Sequence, residues 1–207
     1  MSHVRITRRE LIKTAGAALP VIGASLASGS QGASPGTGMT VGISTLGFPK
    51  HTNAQLAEEL AGRGIRTVQL FLNQSDSRYW KYNGRSDLSD LTASRCAAIA
   101  RAYGSAGLTI HSIGVYTNLI HGDAAERQAN LVYFESMMKA GKEMDVRTFI
   151  TEAGHYEPEG PAPNVAHHFQ EEVWRRMLTT VRQLAELAER HDATVLMEPF
   201  FGGFLAS

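Results

Sequence analysis

Cysteine is almost absent from this chain. The lone thiol, Cys96, has no partner for an intramolecular disulfide, and within the helical-looking "SRCAAIARAY" it reads as a small packing residue. An excess of either charge is also missing. Lys+Arg and Asp+Glu stand at 20 each in 207 residues, which removes any global electrostatic reason to expect nucleic acid or an anionic membrane as partner. No Gly-x-Gly-x-x-Gly follows the first strand-like run, so dinucleotide binding lacks its main signature. The apolar N-terminal segment is too short and too rich in glycine for a comfortable membrane span. What is present, 43% hydrophobic residues with few aromatics, suffices for one good core, so one domain plus appendages is expected.

The N-terminus reads as a targeting segment. In "TRRELIKTAGAALPVIGASLASGSQGA" the pair Arg8 and Arg9 precedes Leu11, Ile12 and Lys13, then a mild stretch of Ala and Gly. That order predicts a twin-arginine signal peptide over residues 1–33, cleaved after a small residue between Ala27 and Ala33 to leave a periplasmic or otherwise extracytoplasmic protein with no stable membrane span. An amphipathic first helix is the alternative, and Gly16, Pro20 and Gly23 weaken it. Residues 34–38 continue as a flexible linker.

From Met39 a regular alternation begins. "MTVGIST" is strand-like, and "NAQLAEELAGRG" has helical spacing, with Asn53 as cap and Gly62 or Gly64 as stop. "IRTVQLFL" and "LTIHSIGVY" are the next strands, flanking the helix "DLTASRCAAIARAYGSAG" with Asp90 as cap. "GDAAERQANLVYFESMMKAGKEM" is a third helix, with Leu131, Phe134 and Met138 on one face. "VRTFITEAG" and "ATVLMEPF" are strands four and five. Between them lies the helix "EEVWRRMLTTVRQLAELAERHD", with Trp174, Leu178, Val181, Leu184 and Leu187 at helical spacing. Strands joined by such helices run parallel, in either a doubly wound open sheet or a (β/α)8 barrel. The barrel is favoured because polar residues gather where strands end: Gln69, His111, Asn118, Glu152, His155 and Glu198. In a barrel those ends ring one mouth, the usual place of the active site.

Glu198, after the apolar "TVLM", should lie at a strand end partly removed from water, where an ionised carboxylate needs a metal, a cation or several donors. A simple ion pair with a Lys or Arg of a neighbouring loop is the plain alternative. Glu152 takes the same relative place one strand earlier, with His155 on the loop after it and His111 closing the apolar rise of "LTIH". Carboxylate and imidazole groups converging there could hold Mn²⁺, Zn²⁺, Co²⁺ or Mg²⁺. Each of them taken alone could equally be a hydrogen-bonded loop residue, and His121, His167 and His168 are weaker candidates still.

The order "ITEAG", a long helix ending "ELAERHDATVLMEP" and a following Gly-rich loop resembles the xylose isomerase-like TIM barrels, a superfamily of sugar-phosphate isomerases and epimerases, ketose 3-epimerases, inosose dehydratase-type enzymes and the endonuclease IV group. The resemblance runs from about Met39 to the end of the chain. It implies that residues 39–207 are a partial barrel of about five β-α units. It makes Glu198 the first metal ligand and one of two carboxylates flanking the substrate carbon, and it matches Glu152 and His111 to strand-end positions that approach substrate or metal; Glu198 and Glu152 are the expected catalytic residues, with His111, His155 and Gln69 expected to bind substrate. The activity it implies is sugar or sugar-phosphate isomerisation or epimerisation, by proton transfer next to a carbonyl through an enediolate, with a divalent metal and a small sugar ligand and, potentially, a homo-oligomer.

Two positions depart from the family pattern. Gln69 stands where a Glu is frequent, and Pro199 follows Glu198 where Asn is frequent. The span after the linker, about 170 residues, is also shorter than the roughly 250 of a typical barrel, so a chain cut short after the fifth strand is expected, without the Asp, His and second Glu that strands six to eight would bring. A non-catalytic exported carbohydrate-binding module and an endonuclease IV-like phosphodiesterase are the competing readings. The second calls for many His ligands and a basic groove, which fits a neutral protein poorly.

Overall fold

The computed structural model describes residues 40–154, 170–200 and 205; the expected signal segment and linker, His155, His167 and His168 lie outside the described residues. The described residues form one compact unit. Its elements are β1 (Ile43–Ser44), a 3₁₀ turn (Thr45–Gly47), α1 (Asn53–Gly62), β2 (Thr67–Leu70), α2 (Ala93–Ser105), β3 (Thr109–Gly114), α3 (Ala124–Glu143), β4 (Thr148–Thr151), α4 (Glu171–Arg190) and β5 (Thr194–Met197).

The five strands form one parallel sheet in the order β1-β2-β3-β4-β5. Each strand pairs with its neighbour in sequence and the order never reverses. A doubly wound sheet would show a switch point, so this is the barrel pattern, present as five units. Register separates the two faces. Val68, Leu70, Ile113 and Phe149 are buried beneath the helices, packed with Leu56 and Leu60 of α1, Cys96, Ile99 and Tyr103 of α2, Phe134 and Met137 of α3, and Leu184 and Leu187 of α4. The opposite face carries Gln69, Ser112, Ile150 and Leu196, the last 44% exposed. Fully burying a side chain such as Phe149 contributes about 1.5–3 kcal/mol, which explains why the helix-covered face reads so clearly in the sequence.

Several local expectations are corrected. Thr52, not Asn53, caps α1 in a capping box with Gln55. Asn53 is the first helical residue and is buried: its side-chain amide donates to Asp76 Oδ1 (2.8 Å) and Ser77 Oγ (2.9 Å), and its carbonyl accepts from Tyr103 Oη (3.1 Å). That network ties the long connection after β2 to α1 and α2. Thr92, rather than Asp90, caps α2. The buried stripe of α4 is Val173, Met177, Thr180, Leu184 and Leu187, one residue out of phase with the predicted one in its first half. Trp174, Leu178 and Val181 are only partly buried, beside a small cluster of Ile120, Ala153, Val173 and Met177.

Candidate functional site

The sheet pairing continues past the strand ends. Val115 N–H donates to the Ile150 carbonyl (2.9 Å), Leu119 N–H to Ala153 (3.1 Å) and Glu198 N–H to Thr151 (2.8 Å). With strict alternation along each strand, these contacts bring Tyr116, Glu152 and Glu198 to one level on the open face, at the C-terminal ends of β3, β4 and β5.

Each carboxylate there is held by a tyrosine. Tyr116 Oη donates to Glu198 Oε2 at 2.5 Å, and Tyr82 Oη, from the connection after β2, donates to Glu152 Oε2 at 2.9 Å. Gln69 Nε2 approaches Tyr116 Oη at 3.4 Å, a long contact that still puts the amide beside that hydroxyl. The rings form a group: Phe71 stacks on Tyr116 (5.4 Å, 19°), Tyr82 lies 6.4 Å from Tyr116, and Trp80 meets Phe71 edge-on at 5.4 Å. Gly114 makes room for this stack, since a Cβ there would come within 2.8 Å of Phe71 and 3.0 Å of Tyr116.

The two carboxylates differ in environment. Glu152 is 8% exposed, and burial raises its pKa above the usual carboxylate range; the Tyr82 hydrogen bond opposes that rise and repulsion from Glu198 adds to it. Tyr82 is pushed up to about 12, by burial first and by the Glu152 carboxylate second. Tyr116 is pushed up further, by burial and then by its bond to Glu198, so both phenols stay protonated donors at neutral pH. Glu198 itself is exposed, contrary to expectation. Among the described strands β5 lies at the edge of the sheet, with Leu196 and Glu198 open to solvent, so the argument from a costly buried charge applies to Glu152 and not to Glu198.

The other predicted residues fall in different places. His111 is not at a strand end. The pairing register shifts between Val68 and Gln69, Ile110 lying opposite Val68 and Ser112 opposite Gln69, which leaves His111 as the extra residue of a bulge within β3, exposed and below the tyrosine level. Asn118 is buried on the loop beyond β3, its carbonyl accepting from Asn130 Nδ2 at 2.7 Å. Tyr82, Tyr116, Trp80 and Phe71 escaped the sequence reading. Tyr116 had a signal, because it continues the alternation of Ser112 and Gly114, whereas Tyr82 sits in an aperiodic connection and had none.

Among the described residues no three His, Cys, Asp or Glu side chains come together as a ready-made metal site, and neither Glu152 nor Glu198 pairs with a Lys, Arg or His. Glu152 and Glu198 each keep Oε1 without a protein partner there. Glu198, with Oε1 open and no cation beside it among the described residues, could hold a divalent ion.

The family of xylose isomerase-like TIM barrels matches residues 57–206. Among solved structures, D-psicose 3-epimerase from Clostridium cellulolyticum H10, determined with D-tagatose, is similar at 17% identity and a TM-score of 0.60, covering 81% of this chain and 55% of that one. A Rhodospirillum rubrum protein provisionally assigned as a xylose isomerase is similar at 19% identity and a TM-score of 0.60, covering 78% and 54%. A D-psicose 3-epimerase determined in the presence of D-fructose gives 16% and 0.55, covering 78% and 53%. The chain thus spans about half the length of the solved structures it matches, and at these identities the likeness is one of fold. No curated protein matches it.

Proposed function

The chain belongs to the xylose isomerase-like TIM barrel family, and on that premise we propose that it carries part of a metal-dependent sugar isomerase or epimerase. The observation that supports this most is the pair of carboxylates on adjacent strand ends, each held by a tyrosine hydroxyl. Glu152, whose pKa is raised by burial, is the proton-transfer group: a carboxyl moved toward neutral pH both takes and returns a proton readily. Tyr82 orients it. Glu198, held by Tyr116, faces the substrate from the next strand and is the residue that would hold a divalent ion. Such an ion supplies polarisation of a substrate carbonyl. Tyr82, exposed, and Trp80, half-buried, backed by the buried rings of Phe71 and Tyr116, offer apolar surface to the carbon face of a sugar. We assign residues 1–33 to a twin-arginine signal on the strength of Arg8 and Arg9, which makes the protein extracytoplasmic.

The test is solvent-deuterium incorporation. The full chain with Mg²⁺ or Mn²⁺ is incubated in D₂O with ketohexoses, and mass spectrometry follows exchange of the hydrogen next to the carbonyl. The expected result is exchange that falls by roughly a hundredfold or more in Glu152→Gln and Glu198→Gln, the scale of a lost acid/base group. Exchange equally fast in both variants would sink the assignment. Sugar binding without any exchange would instead favour a carbohydrate-binding module, which the same aromatic group would serve.

A further inference from the structure

The turn that supplies Tyr82 has a second side. Lys81, Asn83 and Arg85, with His121, Glu126 and Asn130 from the end of the β3 loop and the first turns of α3, line a pocket of about 250 Å³ that the carboxylate chemistry does not use. Its charges are unequally committed. Arg85 Nη1 is held by Glu126 Oε2 at 2.9 Å and by Asn130 Oδ1 at 2.6 Å, so this cation is already neutralised. Lys81 has no ion-pair partner among the described residues. Its stem is nonetheless placed: a Cβ on Gly84 would come within 2.9 Å of Lys81 Cδ, so the glycine lets the lysine chain lie across the turn. Asn83 adopts the left-handed conformation (φ 48°) that closes this turn, which asparagine tolerates. His121 Nδ1 accepts the backbone N–H of Asp123 at 3.1 Å, which leaves the ring proton on Nε2 as a further donor.

We propose that this pocket seats the carboxylate of a keto sugar acid, with Lys81 as its cation, so that the molecules worked on by Glu152 and Glu198 include monoanionic sugar acids beside neutral ketoses. This rests on the reading of those two carboxylates as the reacting site. The link between pocket and site is the turn itself, because Lys81 and Asn83 flank the residue whose hydroxyl binds Glu152. One uncommitted positive charge and neutral donors match a single negative charge. A phosphate dianion would have only this one uncommitted cation to offset its two charges.

Calorimetric titration of the full chain with D-gluconate, inorganic phosphate and D-fructose tests this in wild type, Lys81→Met and Lys81→Arg. Methionine keeps the apolar stem over Gly84 and removes the charge, while arginine restores the charge. We expect gluconate to bind at least tenfold more weakly to Lys81→Met, to recover in Lys81→Arg and to weaken with salt, with fructose binding unchanged. Gluconate binding unaffected by Lys81→Met, no gluconate binding at all, or phosphate bound more tightly than gluconate would each overturn the proposal. Because binding is read without turnover, Lys81-dependent gluconate binding in a chain that exchanges no deuterium would leave the pocket standing and reject the reaction.

Discussion

Replacing Tyr82 by Phe removes one hydroxyl and nothing else from the hydrogen bond that holds Glu152. A hydrogen bond to a charged group contributes about 1.5–3 kcal/mol, and Tyr82 is 42% exposed, so water replaces part of it and about 1 kcal/mol is the reasonable loss. Because that bond favours the ionised carboxylate, the Glu152 midpoint should rise in the variant. The sign for stability follows from linkage. A carboxyl whose folded pKa lies above its unfolded value keeps its proton in the folded state over a window where the unfolded chain has released it, so stability falls as pH rises through that window. Tyr82→Phe extends the window upward, and the variant's deficit against wild type should be small below it and reach about 1 kcal/mol above it. Carbon-13 titration of labelled glutamate carboxyls measures the midpoint, and urea unfolding on either side of the window measures the deficit. Glu198→Gln, by removing the neighbouring negative charge, should move the Glu152 midpoint down. A midpoint unchanged or lowered in Tyr82→Phe, or a deficit equal at both pH values, would refute the coupling.

Asn53→Ala should cost about 2–4 kcal/mol in urea unfolding, because the buried Tyr103 hydroxyl and Ser77 lose their shared partner together with the Asp76 bond. Two glycines predict opposite signs under the same substitution. Gly141→Ala would bring a Cβ to 2.5 Å from Phe149 Cζ and 2.8 Å from the Val146 carbonyl, costing about 1–3 kcal/mol or more. Gly104→Ala, in α2 with nothing within 4 Å, should stabilise by about 0.5 kcal/mol, and thermal unfolding of the two variants side by side reads the difference.

The barrel order was legible because the covered face of each strand must be apolar and each helix must present a stripe, and both leave periods in the sequence. Glu152 and Glu198 stood out for the same reason, as charges ending such runs. The frame of α4 was less legible, since "VWRRMLTTV" offers two apolar stripes one residue apart and only packing against Ile120 and Ala153 selects the one through Val173 and Met177. His111 was placed at a strand end because a bulge has no signature in composition. Asn53 was taken for a cap when Thr52 beside it had the glutamine partner at Gln55. The hydroxyls that hold the carboxylates come from Tyr82, in an aperiodic connection, and from Tyr116, which followed the alternation but was read as strand filler. Pairings that depend on how a connection folds back across the sheet are written in no local period.

The sequential strand order also has a consequence for how the protein is made. Every β-α unit docks on the one completed just before it, so the chain can fold progressively from its N-terminal side during synthesis, with contacts of modest sequence separation at each step. The carboxylate pairs then close in order. Tyr82 can engage Glu152 once β4 has seated beside β3, whereas Tyr116 gains Glu198 only when β5 has paired with β4. A ribosome stalled before Thr194 would therefore carry a folded sheet with one hydroxyl–carboxylate pair formed and the other still waiting for its acid.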